Sequence, residues 1–397
     1  MASEMKVGNK ITGITLLSAK HLQIMAKEKT KKKETKVKSI ITAASHQFMQ
    51  NYVNTASPVG FESSGQKVWL EYVMAFADEK ITDAYGTAVA VINPGQNFKV
   101  VIEAHADEIS WFVNYIDDKG LMYLKRNGGV DHQIAPSMRV LIHTKKGTVK
   151  AVFGWPAIHT RINSGDKETQ PKVENLWLDC GARTKKEVED LGIHVGCVVT
   201  YEEGFDELEF GYYIGRAFDN RIGGFMIAEV ARLLQENKIK LPYTLYVVNA
   251  VQEEIGLRGA EMIARRLKPD VAIITDVTHD TSTPMISKMV QGDIQCGKGP
   301  SLTFGPAVHN KLLDIIRDVA AKKKIDVQLN SVSRSTGTDT DSFAYANDGC
   351  PSALISIPLR YMHTTVEMLH KSDIENTIKL MYETLLVLKP DTNLSYF

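Results

Sequence analysis

Cysteine is scarce: Cys180, Cys197, Cys296 and Cys350 are scattered along the chain, and no two form a CxxC pair. That spacing argues against a thiolate metal site and reads as buried or free thiols in a reducing compartment. Net charge is absent as well, because Lys+Arg and Asp+Glu both count 47. A balanced chain is a poor candidate for a whole-domain nucleic-acid binder or a polybasic membrane protein. No apolar run reaches the roughly 18–20 residues of a membrane helix. The expectation is a cytoplasmic protein with neither membrane nor nucleic acid as partner. What is present is length and core: 397 residues, 44% hydrophobic, enough for two domains or one domain with an insertion.

Residues 1–38 differ from the rest. Ile11–Leu17 follows Lys6 and Lys10 and faintly imitates a signal peptide, but Lys20 and His21 break it and no small-residue cleavage site follows. Met25-Ala-Lys-Glu-Lys-Thr-Lys-Lys-Lys-Glu has the look of a natural polar amino terminus, so translation is expected to start at Met25. A Met5–Lys20 peptide in the mass spectrum of the natural protein would refute that. The lysine run reads as a solvated tail, with an RNA- or partner-binding arm as the lesser alternative.

From Ser39 the pattern is globular. Ile40–Tyr52 and Glu62–Phe76 read as amphipathic helices around a Ser57-Pro58-Val59-Gly60 breaker, and Ala88–Ile92 and Lys99–Ala104 as strands. Residues 109–208 hold short β-rich runs between turn signals, including a hairpin of Val140–His143 with Thr148–Phe153; Lys185–Leu191 is the helical stretch there. These residues are expected to form a small β-rich domain inserted into a larger α/β domain of residues 39–108 and 209–397. In the second part, helices at Ile222–Leu234, Ala260–Leu267, Val308–Ala321 and Asp373–Leu388 alternate with strands at Thr244–Ala250, Val271–Thr275 and Ala353–Ile357. Such alternation implies a mostly parallel-stranded sheet flanked by helices.

The chemistry-bearing residues fall at the ends of these strands. Lys99–Ala104 leads into His105-Ala106-Asp107, Thr244–Ala250 into Glu253-Glu254, Val271–Thr275 into Asp276, and Ala353–Ile357 towards His363, while Asp219 precedes a helix. Ligands of open α/β sheets bind beyond the carboxyl ends of strands. Imidazole and carboxylate converging there suit two divalent cations, with one carboxylate bridging them and one shared water activated. An Asp two residues after a ligand His lies on the same strand face and can accept its second ring N–H. Of two adjacent glutamates, one can bind metal while the other serves as general base. Each motif alone has a bland reading: HxD as a surface pair, Glu-Glu as a solvated face, Asp219-Asn220-Arg221 as a helix cap, His363 as a satisfied core polar group. Their joint occurrence, in order and at strand ends, points to function.

From about Ser57 to Leu388 the chain resembles the TET-type di-metal aminopeptidases, a family that includes deblocking and glutamyl aminopeptidases. The resemblance rests on Ala104-His105-Ala106-Asp107-Glu108-Ile109, Gly128-Gly129-Val130-Asp131, Ala217-Phe218-Asp219-Asn220-Arg221 and Gln252-Glu253-Glu254-Ile255-Gly256-Leu257-Arg258-Gly259-Ala260. It continues in Thr275-Asp276-Val277-Thr278, Gly337-Thr338-Asp339-Thr340 and Pro358-Leu359-Arg360-Tyr361-Met362-His363. It implies an aminopeptidase hydrolysing the first peptide bond of short peptides, with two divalent ions, zinc or cobalt. His105 and Asp276 would hold one ion, Glu254 and His363 the other, and Asp219 both. Glu253 would be general base towards a metal-bridging water, and Asp107 would orient His105. The inserted domain would serve dimerisation, and dimers would assemble into a hollow tetrahedral dodecamer. Ala104 and Ser110 replace the family's usual glycines and Thr340 its usual alanine, changes that leave every ligand and the base in place.

A co-catalytic metal amidase or carboxypeptidase-like hydrolase shares a comparable ligand order. Its extra domain, however, typically follows the Glu-Glu and the next acidic ligand, whereas here the β-rich stretch precedes Asp219. Some relatives carry the label endoglucanase, but a glycosidase needs two carboxylates flanking a sugar bond and no metal cluster. A non-catalytic assembly or peptide-binding protein is the remaining alternative, weakened by the complete residue set.

Overall fold

The computed structural model describes residues 39–161, 170–202 and 204–397; the expected tail at 1–38 and the Met25 start lie outside them. Thr42 caps the first helix, α1 (Ala43–Asn54), by accepting the Ser45 N–H at 3.1 Å, and the helix buries Phe48, Met49, Tyr52 and Val53 on one face. Next is α2 (Ser63–Val73), followed by a short 3-10 turn at Met74–Phe76. The strands of the main sheet are β1 (Glu79–Thr82), β2 (Ala88–Ile92) and β3 (Lys99–His105) before the barrel described below.

Six strands between Ser110 and Tyr201 close into a barrel: β4 (Ser110–Ile116), β5 (Met122–Asn127), β6 (Arg139–Thr144), β7 (Gly147–Gly154), β8 (Trp177–Asp179) and β9 (Val198–Tyr201). Their order is β4-β5-β8-β7-β6-β9, with β9 returning to β4. Inward positions alternate, so Trp111, Leu124, Val140, Ile142, Phe153 and Val199 fill an apolar interior while Val152 points to solvent. β6 and β7 form the hairpin read from the sequence, turning at Lys145-Lys146. The short helix α3 (Lys185–Asp190) starts at Thr184, whose hydroxyl accepts the Glu187 N–H.

The chain then adds β10 (Asp206–Glu207), β11 (Tyr212–Gly215) and α4 (Phe218–Glu236), followed by β12 (Thr244–Ala250), α5 (Arg258–Leu267) and β13 (Val271–His279). After α6 (Lys288–Gln291) come β14 (Ser301–Phe304), α7 (Asn310–Lys323), β15 (Gln328–Ser331), α8 (Thr340–Ala344), β16 (Ser352–Leu359), β17 (Glu367–His370) and α9 (Lys371–Val387). The main sheet has eight strands in the order β1-β2-β12-β3-β13-β16-β14-β15. Helix α4 is buried along most of its length and packs on β3 and β13, flanked by α1, α2 and α9.

The expected parallel pairing holds at the centre of the sheet, and the sheet as a whole is mixed. Its central strands β12, β3, β13 and β16 are parallel, and β15 is parallel to β14, but β1–β2, β2–β12 and β14–β16 are antiparallel. A five-residue link between β1 and β2 permits only an antiparallel return. Strand β1 carries no apolar signal, because it is almost wholly exposed at the sheet's edge. The parallel core is buried on both faces and reads as near-continuous apolar runs, which is why it was visible in the sequence.

Candidate metal centre

Three of the central parallel strands, β3, β12 and β16, deliver site residues at or just past their carboxyl ends, and β13 does so from within. His105 is the last residue of β3; Glu253 and Glu254 follow β12; His363 follows β16 by four residues. Asp276 lies inside β13, which runs on to His279 and is longer than the pattern suggested. Asp219 lies in the first turn of α4, but Asp219 and Asn220 have non-helical dihedrals and a cis peptide bond joins them. That turn is held from behind: the Asn220 amide donates to the Thr275 carbonyl at 2.8 Å and accepts the Gly223 N–H at 3.1 Å.

The geometry brings the predicted ligands together around one carboxylate. Asp219 Oδ1 lies 3.2 Å from His105 Nε2, and its Oδ2 lies 3.2 Å from His363 Nε2. Asp276 Oδ1 is 3.7 Å from His105 Nε2, and Glu254 Oε1 is 3.2 Å from His363 Nε2. Two groups result, His105–Asp219–Asp276 and Asp219–Glu254–His363, each with one donor atom per residue and all donor atoms within 4.8 Å of one another. Glu253 stands over the first, with Oε2 3.9 Å from His105 Nε2.

Asp107 lies near His105 and also meets the loop that carries both glutamates. Its Oδ1 is 3.5 Å from His105 Nδ1, longer than a hydrogen bond. Its two oxygens accept the backbone N–H groups of Glu253 and Glu254 at 3.0 and 3.1 Å. Gln252, at φ +58, turns the chain so that both amides face this carboxylate. Asp107 therefore ties the end of β3 to the loop that carries both glutamates.

Glu367 has no signal in the sequence, since it stands in an ordinary short strand. It is buried, and its Oε2 accepts the Asp219 N–H at 3.1 Å while its Oε1 accepts the His363 N–H at 2.8 Å. One side chain thus positions the backbone of two residues of the second group, including His363 in its left-handed conformation at φ +62. The barrel contributes as well. Just past β5, the Gly129 carbonyl lies 3.2 Å from His363 Nδ1, and a Cβ on Gly129 would come within 2.7 Å of that same nitrogen. Behind His105, Glu103 and Asp339 are fully buried carboxyls. A glutamate inside the apolar run Val100-Val101-Ile102-Glu103-Ala104 was the available clue. Asp131, quoted in the resemblance, is half-buried and caps the Gln133 N–H instead.

Electrostatics describe a site short of positive charge. Burial pushes Glu253 up to about 10, helped by Asp276, Asp339 and Glu254. Burial likewise raises Glu254 to about 7 and Asp276 above the ordinary carboxylate value. Burial alone would lower both histidines, but Asp219 and Glu254 lift His363 to about 11, and Glu253, Asp107 and Asp219 lift His105 well above 6.5. Asp219, despite burial, is held below the usual range by the two imidazoles. Among the described residues, no Lys or Arg pairs with Asp219, Glu253, Glu254 or Asp276. Four acidic groups around two imidazoles form a donor set that divalent cations satisfy.

The family model for M42 glutamyl aminopeptidase matches residues 86–380, well over half of the chain. The chain belongs to the M42 glutamyl aminopeptidase family. Its sequence is 32% identical over 345 residues to the lysyl aminopeptidase of Pyrococcus furiosus, covering 87% of this chain and 97% of that protein. The TET aminopeptidase of a marine sediment Thaumarchaeota archaeon superposes with a TM-score of 0.83 at 29% identity, over 87% of this chain and 97% of that one. The TET1 peptidase of Pyrococcus horikoshii, which assembles into a tetrahedron or a large octahedral shell, shares the fold with a TM-score of 0.76 at 24% identity, over 87% and 100% of the two chains. This M42 chain is a peptide hydrolase of the aminopeptidase family. No helix among its described residues is long and apolar enough to cross a membrane.

Proposed function

We propose that the protein is a di-metal aminopeptidase that removes the first residue from short peptides. The observation that carries this reading is Asp219, whose two oxygens each lie 3.2 Å from a different imidazole and so can serve two ions. His105 and Asp276 would complete one site, and Glu254 and His363 the other. When bound, zinc or cobalt ions would supply Lewis acidity and lower the pKa of a shared water. Glu253 would take the proton from the attacking water and deliver it to the leaving amine. Asp107 and Glu367 keep the flanking backbone in register, and the Gly129 carbonyl fixes the ring of His363.

The barrel precedes Asp219 in the chain, which favours this reading over an amidase or carboxypeptidase-like hydrolase. In the same proposal, residues 109–208 are an inserted unit serving dimerisation, and dimers build a larger closed shell like that of the P. horikoshii relative. The protein would act in the cytoplasm. The test of activity is hydrolysis of aminoacyl-p-nitroanilides and their amino-blocked counterparts, with chelator and with added zinc or cobalt. Cleavage of free-amine substrates alone, lost on chelation and restored by metal, is the expected result. Cleavage that survives chelation or prefers blocked substrates would overturn it.

A further inference from the structure

Beside the ligand side chains the sheet edge opens into a cavity of about 330 Å³. The other flank of the centre, between Glu108, Arg216 and Glu367, has room for only about 10 Å³. A substrate side chain of any size therefore has space on one side. From the ligands the cavity runs past the residues of β13, β16, β14 and β15. Thr278, Thr303, Asn330 and Ser356 line it with hydroxyl and amide groups, and Val290 and Leu354 with aliphatic surface.

Charge is what this wall lacks. Beyond the ligand set and Glu253, none of the described lining residues is Asp, Glu, Lys or Arg. His279 is exposed at the rim, and partial burial of its ring holds it below the ordinary histidine value. Of the nearby cations, Lys288 is paired with Asp293 at 2.6 Å, and Arg334 is exposed and does not line the cavity. A charged side chain entering here would exchange water for neutral dipoles, and a buried ion without a counter-charge is strongly disfavoured. An amide, hydroxyl or aliphatic side chain loses little by comparison.

We propose that this recess receives the side chain of the substrate's first residue and selects uncharged ones, glutamine, leucine and methionine ahead of lysine, arginine, aspartate and glutamate. The inference rests on the aminopeptidase reading and departs from both specificities carried in the names of the family and of the P. furiosus relative. A lysyl or glutamyl preference asks for a fixed counter-charge, and among the described residues the cavity wall beyond the ligands and Glu253 offers none.

The experiment is a set of kcat/KM values on glutaminyl, leucyl, methionyl, lysyl, arginyl and glutamyl p-nitroanilides, using the full chain with added zinc or cobalt. The uncharged substrates should exceed the charged ones by about tenfold or more. Asn330→Asp, an isosteric change that places one carboxylate in the recess, should raise the lysyl-to-glutaminyl ratio by about tenfold, while Asn330→Ala should not. A lysyl or glutamyl optimum in the unaltered protein overturns the proposal while leaving the aminopeptidase reading intact. So does an Asn330→Asp variant whose preference shifts at the second residue of dipeptides and not at the first. Failure to cleave any free-amine substrate overturns both.

Discussion

The barrel and the carboxyl edge of the main sheet are built on opposite principles. Inside the barrel, buried positions are apolar: Trp111 meets Phe153 edge-on at 5.4 Å, and Val140, Ile142, Leu178 and Val199 fill the space around them. At the sheet edge the buried residues are His105, Asp107, Asp219 and Asp276, with Glu103 and Asp339 behind them. The barrel gains stability from removing apolar area from water. The sheet edge gathers like charges where water is scarce, which opposes folding unless cations or protons relieve it. The difference separates a region that makes structure from one that spends stability on chemistry. The two regions meet at Gly128 and Gly129, where barrel backbone lies against Glu254 and His363.

Substitutions that test this contrast should fall in a definite order. Glu253→Gln is expected to leave metal content unchanged and lower kcat by about 10²–10⁴-fold, the range of general-base catalysis. Elemental analysis beside steady-state kinetics would check it, and substantial retained turnover would remove Glu253 from its role. Trp111→Ala, in the barrel, should cost about 3–5 kcal/mol of stability. Urea unfolding would measure that loss, and a change below 1 kcal/mol would mean that the barrel interior does not act as a packed core.

Gly129→Ala probes the junction. The added Cβ must displace the ring of His363, so affinity for the second ion should fall about 10–100-fold, as when a group supporting a ligand is lost. Metal titration with stoichiometry would show one ion retained and one weakened; equal binding of both would break the link between barrel and site.

The smallest effect concerns Glu103, whose pKa burial raises from 4.5 to about 8. In chelator-treated protein the folded chain holds a proton there that the unfolded chain has already released. The stability this contributes is complete below pH 4.5 and is lost as pH climbs through 8. Glu103→Gln should therefore raise Tm relative to the unaltered protein by more at pH 8 than at pH 5, by a few degrees. The opposite slope would mean that Glu103 is charged in the folded state.

Much of this organisation was legible residue by residue. β2 and β12 have the ends read from the sequence, and β3 extends one residue further, to His105, because a parallel strand buried on both faces is a bounded apolar run. Strands at or next to the sheet's edges gave less. β1 is Glu-Lys-Ile-Thr in water, and β14 and β15 are four residues each, too short for a period to register. Asp276 was placed after its strand, yet β13 continues through it, since a lone carboxylate does not end a strand whose backbone pairs with β16.

The sequence by itself determined which chemical groups exist and in what order they leave the strands: two imidazoles, a lone Asp at a helix start, an adjacent pair of glutamates and an Asp in an apolar run. These are local properties, written within a few residues of each strand end. Only the tertiary structure decided that β12 sits between β2 and β3, that Asp107 holds the backbone of Glu253 and Glu254, and that Glu367 spans Asp219 and His363. It alone showed the neutral recess, because Thr303, Asn330 and Ser356 come from three different strands. Such contacts depend on strand order and packing across long sequence separations, which no local pattern encodes.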